Sequence, residues 1–120
     1  MIVAISSTGK GLEDALDTRF GRTRCFVIVD LESKAVEAVD NTQNLQAMQG
    51  AGIQAAMHVV EAGAECVITG HCGPKAFRVL NEAGIKVYLT DAGTVKDALA
   101  RYEAGQLKEA ETADVEGHWA

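Results

Sequence analysis

Cys66-Val67-Ile68-Thr69-Gly70-His71-Cys72-Gly73-Pro74-Lys75-Ala76-Phe77 changes character twice along its length. Val67 and Ile68 favour a short buried strand. Gly70 and Gly73 let the backbone turn sharply and approach a ligand closely. Pro74 suits a first helical position, where its missing N–H loses no hydrogen bond. The stretch therefore reads strand, tight turn, helix start. In a parallel sheet that turn lies at the strand end where ligands bind. The N–H groups and positive dipole end of the helix face it, and Lys75 adds a full charge, so an anion suits the place. His71 and Cys72 add two potential soft-metal ligands. The Gly70–Lys75 turn is the candidate site, suited to an anion or a metal-containing anion.

Downstream, Ala76, Val79, Leu80 and Ala83 stripe one helix that stops at Gly84. Ile85–Leu89 reads as a strand. Thr94-x-x-Asp97 opens a further helix in capping-box style, striped by Val95, Ala98, Leu99 and Tyr102 and ended by Gly105. Upstream, Ile53, Ala56, Met57 and Val60 recur at helical spacing before Gly63. The polar linker Asn41–Gly52 precedes them; its Gln43, Asn44 and Met48 should pass near the same sheet end.

The first third of the chain reads as strands. Ile2–Ser7 is an apolar strand, with the continuous run Ile2-Val3-Ala4-Ile5, which suits a central position buried on both sides. Ser7–Asp17 is a polar, glycine-bearing connection with room for one short helical turn. Asp17-Thr18-Arg19-Phe20-Gly21-Arg22 sets two arginines around an aromatic and a glycine. Arg24–Asp30 and Ala35–Val39 form an antiparallel hairpin across the short Glu32-Ser33-Lys34 turn. These elements predict an α/β fold with a five-stranded mixed sheet, the Arg24–Asp30 strand antiparallel to the rest. Residues 1–107 form the domain, and the acidic, weakly patterned 108–120 a loosely held tail that carries His118 and Trp119.

Composition narrows the function. The 120 residues suit one domain with a real core, and 48% are apolar. A net charge of −6 argues against nucleic-acid or anionic-membrane partners. No apolar run is long enough to span a bilayer, and no basic n-region precedes the first strand, so a cytoplasmic location is expected. Cys25, Cys66 and Cys72 form no C-x-x-C pair, which suits reduced thiols.

Several stretches together resemble a known family. They are the Ile2–Ser7 strand, Arg19-Phe20-Gly21-Arg22, and Gly50-x-Gly52 before a helix. Val67-Ile68-Thr69-Gly70 with Gly73-Pro74-Lys75-Ala76-Phe77, and Gly84-Ile85-Lys86-Val87-Tyr88, complete the set. Over Met1–Leu107 the chain resembles the dinitrogenase iron–molybdenum cofactor-biosynthesis carriers of the NifX type and the NifB C-terminal domain. The orange proteins, which hold a molybdenum–copper–sulfur cluster, are close relatives. The resemblance implies a three-layer α/β/α, ribonuclease-H-like fold. It also implies binding of an anionic metal–sulfur cluster, of molybdenum–copper–sulfur or iron–molybdenum type, or of its precursor. Partners would be cluster-donating or cluster-receiving proteins, and the chain itself a monomer or weak homo-oligomer.

Each candidate has a plainer alternative. Cys72 is a thiolate ligand, favoured by the helix start and Lys75, or a small turn residue. His71 is a ligand or an exposed turn histidine; one His and one Cys do not complete a tetrahedral site. Arg19 and Arg22 draw in sulfide and oxo groups, or pair with the protein's own carboxylates. Asn44 and Met48 line the pocket more weakly. Cys25 and Cys66 read as small buried hydrophobes, and His58 as a packing or surface residue. A non-catalytic carrier leads. A regulatory module without cofactor and a Cys72-dependent redox enzyme are the alternatives. A two-metal nuclease is disfavoured because Ile2–Ser7 and Cys66–Thr69 offer no carboxylates.

Overall fold

Alternation along the strands decides which helix packs where. In the computed structural model, which describes residues 1–41, 50–91 and 93–111, Ala4, Phe26, Ile28, Val67 and Val87 face one side of a single sheet. Val3, Ile5, Val27, Val29, Cys66 and Ile68 face the other. The strands are β1 (Ile2–Ser7), β2 (Cys25–Asp30), β3 (Val36–Asp40), β4 (Cys66–Thr69), β5 (Lys86–Leu89) and β6 (Lys108–Glu109). Helices α1 (Ala51–Glu61) and α2 (Pro74–Glu82) cover the first face, and α3 (Val95–Glu103) covers the second. The layers are helix, sheet, helix.

The sheet order is β3-β2-β1-β4-β5-β6. β1, β4 and β5 run parallel, while β2 is antiparallel to both β1 and β3. Continuous apolar β1 is central, as its composition requires. The hairpin turns at Lys34, which takes φ 67°. Asp30 steadies the turn by accepting from the Glu32 and Ser33 amides. These bonds hold its carboxyl below the usual range.

The structure corrects the five-strand expectation: there are six. Lys108–Glu109 pairs antiparallel with β5, and the Ala110 amide donates to the Val87 carbonyl at 2.8 Å. A two-residue edge strand carries no readable alternation, so its sequence passes for a tail. The Ser7–Asp17 connection holds no helical turn; it is tied down by bridges from Ser7 to Leu16 and from Ala15 to Thr94.

The α1 stripe is also corrected. Ala51, Ala55, Ala56 and Val59 are the buried positions, whereas Ile53, Met57 and Val60 are exposed. Two parallel helices on one face approach closely where their contact residues are small. Gly52 packs on Ala76, where an added Cβ would lie 3.2 Å from the Ala76 Cβ. In α2, Ala76 and Leu80 are buried as expected, but Ala83 caps the helix and is exposed. The α3 stripe holds: Val95 and Ala98 are buried, with Leu99 and Tyr102 packed beside them. Its capping box forms in both directions between Thr94 and Asp97.

Candidate functional site

The carboxyl ends of β1 and β4 are joined by hydroxyls. Ser6 Oγ donates to the Asp17 carbonyl at 2.6 Å and lies 2.7 Å from Thr69 Oγ1. With its one proton used on a carbonyl, Ser6 accepts from Thr69. All three residues are buried, so these bonds fix where the Asp17–Arg22 run leaves the sheet. The run then lies along the β4 turn like a short extra strand. The His71 amide donates to the Thr18 carbonyl at 2.7 Å, and the Phe20 amide to the His71 carbonyl at 3.1 Å. Arg19 and His71 are thus bridge partners. A Cβ on Gly70 would sit 2.6 Å from that of Thr18. Gly70 is therefore required by the run packed against it.

Phe20 anchors the run in the core, where its ring meets Phe26 at a centroid distance of 5.2 Å. Gly21 then meets the α1 backbone: an added Cβ would lie 3.0 Å from Gly52 Cα. Through Gly21, Gly52 and Ala76 the run, the start of α1 and the start of α2 converge. The sequence reading grouped Arg19, Arg22, Gly70, His71, Cys72, Gly73 and Lys75, with Asn44 and Met48 beside them; the structure sets Thr18–Phe20 of the first stretch against Gly70–His71 of the second. It adds the α1 start. A glycine inside the first turn of a helix weakens it, and that signal could have marked Gly52 as a contact point.

The two helix starts share an electrostatic feature. Their N-caps, Gly50 and Gly73, offer no side-chain acceptor, and neither first turn holds an acidic residue. By contrast, α3 is compensated by its own Thr94 and Asp97. Arg19 is mostly exposed; its Nε lies 3.4 Å from Asp17 Oδ1, and its amide donates to the same oxygen at 3.0 Å. The expectation that an arginine here finds one of the protein's own carboxylates holds for Arg19 with Asp17. Arg22 is half-buried and Lys75 exposed.

His71 and Cys72 share the turn but not an environment. His71 is half-buried, while Cys72 is buried in the core cluster that contains Phe20. Among the described residues no three His, Cys, Asp or Glu side chains converge as a metal-binding set. Gln43, Asn44 and Met48 lie outside the described residues, as do His118 and Trp119. Cys25 and Cys66 are buried, as read from their strands, and burial pushes both thiols up. His58 has a structural partner: its Nδ1 is 2.7 Å from Asn41 Oδ1, and Asn41 Nδ2 donates to the Thr23 carbonyl. Since that amide end donates, Oδ1 accepts and His58 Nδ1 carries the proton.

Comparison with known proteins agrees with this architecture. The profile of the family described as dinitrogenase iron-molybdenum cofactor matches residues 1–105. The apo form of the orange protein from Desulfovibrio gigas is 41% identical, with 95% of this chain and 96% of that one covered and a TM-score of 0.92. A proposed NifB protein from Thermotoga is 39% identical over 97% of this chain and 98% of its own, with a TM-score of 0.85. An uncharacterised protein of Methanocaldococcus jannaschii is 30% identical over 99 residues, 80% of this chain and 83% of that protein. By its sequence and its structure alike, this chain belongs to the dinitrogenase iron-molybdenum cofactor family.

Proposed function

We propose that the chain is a non-catalytic carrier or scaffold for an anionic, molybdenum-containing metal–sulfur cluster or its precursor. The cargo sits where the starts of α1 and α2 meet the Asp17–Arg22 run. One observation carries this reading: the two helix starts that converge here lack side-chain caps and first-turn carboxylates, whereas α3, elsewhere, has both. Each helix dipole contributes only about 0.3–2 kcal/mol toward an anion. Retention therefore needs several donors at once: the backbone at Gly70 and Gly73, and the charges of Arg19, Arg22 and Lys75. His71 is the accessible side-chain ligand. Cys72 stands inside the core, so a cargo bringing its own sulfides is held chiefly by charge. Asn44 and Met48, in the segment leading into α1, complete the assignment. The cluster is of molybdenum–copper–sulfur or iron–molybdenum type, the partners are proteins that donate or receive it, and the location is cytoplasmic. The strand order with β2 reversed supports a ribonuclease-H-like classification.

Reconstitution with thiomolybdate and copper, or with an iron–molybdenum cofactor precursor, tests the reading through visible absorption. Wild-type protein should retain a coloured species through gel filtration. Arg19→Ala with Arg22→Ala should weaken retention, most clearly at high salt, where exposed charges are screened. Cys72→Ser should leave the spectrum unchanged. A changed spectrum would put the thiolate on the metal, and no uptake from any mixture would sink the carrier reading.

A further inference from the structure

Among the described residues, three of the five exposed large apolar side chains are Ile53, Met57 and Val60. They stand at i, i+4 and i+7 on one helix, α1, and none of the three is buried by another described element. Their exposures, 38%, 44% and 36%, mark a continuous stripe, unlike the isolated Met1 and Val36. The stripe begins within one turn of Gly50, where α1 meets the proposed cluster site. On α2, which packs against α1, Lys75 and Arg78 are exposed. Neither makes an ion pair among the described residues. The corresponding far end of the two helices carries exposed Glu61 and Glu82. The face is therefore apolar along its length, cationic toward the site and anionic away from it.

We propose that this face docks a partner protein whose matching surface is an apolar patch rimmed by carboxylates on the side that meets Lys75 and Arg78. That the docked partner exchanges cargo with this chain rests on the carrier reading above. An apolar stripe that starts at the cargo site positions an occupant to receive a cluster without releasing it to water. A second copy fits less well. Its charges match only when the helices run antiparallel, which leaves the two sites at opposite ends of α1, about 16 Å apart. A partner with its own site at the carboxylate end has no such separation.

The test uses the full chain and a defined probe. The probe is a helical peptide with leucines at i, i+4 and i+7 and flanking glutamates; the control has lysines in place of the glutamates. In an NMR titration the glutamate peptide should shift the methyls of Ile53, Met57 and Val60 and bind at least tenfold tighter than the lysine peptide. Met57→Glu should weaken binding at least tenfold, and Arg78→Glu should erase the preference for glutamate. Neither residue belongs to the proposed cargo site, so thiomolybdate–copper uptake should persist in both variants. Equal binding of the two peptides, shifts on another face, or unchanged affinity in both variants overturns the docking proposal. So does a concentration-dependent dimer in sedimentation that Met57→Glu abolishes, since the face would then be a self-interface. Peptide binding without any cluster uptake supports the docking surface and counts against the carrier reading alone.

Discussion

At Gly70 the requirement for a missing side chain comes from a neighbour, because backbone and Cβ of Thr18 occupy the space a methyl group would need. Gly70→Ala should therefore destabilise the protein by about 1–3 kcal/mol, the usual range for overpacking. Urea denaturation measures the loss. Faster amide exchange at His71, whose N–H bonds Thr18, would show that the displaced element is the Asp17–Arg22 run. The cysteines make a second case at this scale. Cys25, Cys66 and Cys72 are all buried, and the Cys25 thiol faces the Gly9 carbonyl at 2.8 Å. Burial is the main cause raising the Cys25 and Cys66 thiols, so neither forms the reactive thiolate readily. An aromatic disulfide reagent at pH 8 should modify all three far more slowly in native protein than in urea. Rapid native labelling of Cys72 would place its sulfur at the surface and reopen thiolate ligation.

Among the elements, the helices divide by what stabilises them. Removing an apolar group from the buried side of α2, as in Leu80→Ala, should cost about 2–5 kcal/mol. Val60→Ala on the exposed side of α1 should stay within about 0.5 kcal/mol. A large loss for Val60→Ala would restore the Ile53-Met57-Val60 stripe as core. At the start of α3, Thr94→Ala should lose about 1 kcal/mol with its cap. The reciprocal bond from the Thr94 amide holds the Asp97 carboxyl below its ordinary value of 3.8. A depressed folded-state value means the contribution is present above 3.8 and disappears as pH falls through the folded value. The stability difference between wild type and Asp97→Asn should therefore shrink on acidification and vanish once Asp97 is protonated in both states. A difference that persists at low pH would mean the carboxylate charge is not what stabilises this helix start.

Across the whole molecule, the sheet ends at β6, and Lys108–Glu109 form that edge. Ending the chain after Leu107 removes the pairing of Lys108–Glu109 with β5 and the bond from Ala110 to Val87. Net hydrogen-bond contributions are about 1 kcal/mol each, so thermal unfolding should begin several degrees lower; an unchanged transition would show β6 to be ornamental. What the sequence determined by itself is what depends on chain neighbours. Pro74 at a helix start, the Thr94–Asp97 box, glycines with positive φ at 63, 84 and 105 and the Asp30–Val36 hairpin all rest on contacts a few residues long. The succession of strand, turn and helix start across Cys66–Phe77 was legible for the same reason. Tertiary structure alone decided which side of α1 is buried. Close approach of α1 to its neighbours selects the small residues Ala51, Gly52, Ala55 and Ala56, whereas hydrophobic periodicity gives most weight to the large ones. It also decided that Cys72 turns into the core, that a two-residue strand completes the sheet, and that Gly21, Gly52 and Ala76 draw two helix starts together. Each of these depends on space left by residues distant in sequence, and no local pattern records that space.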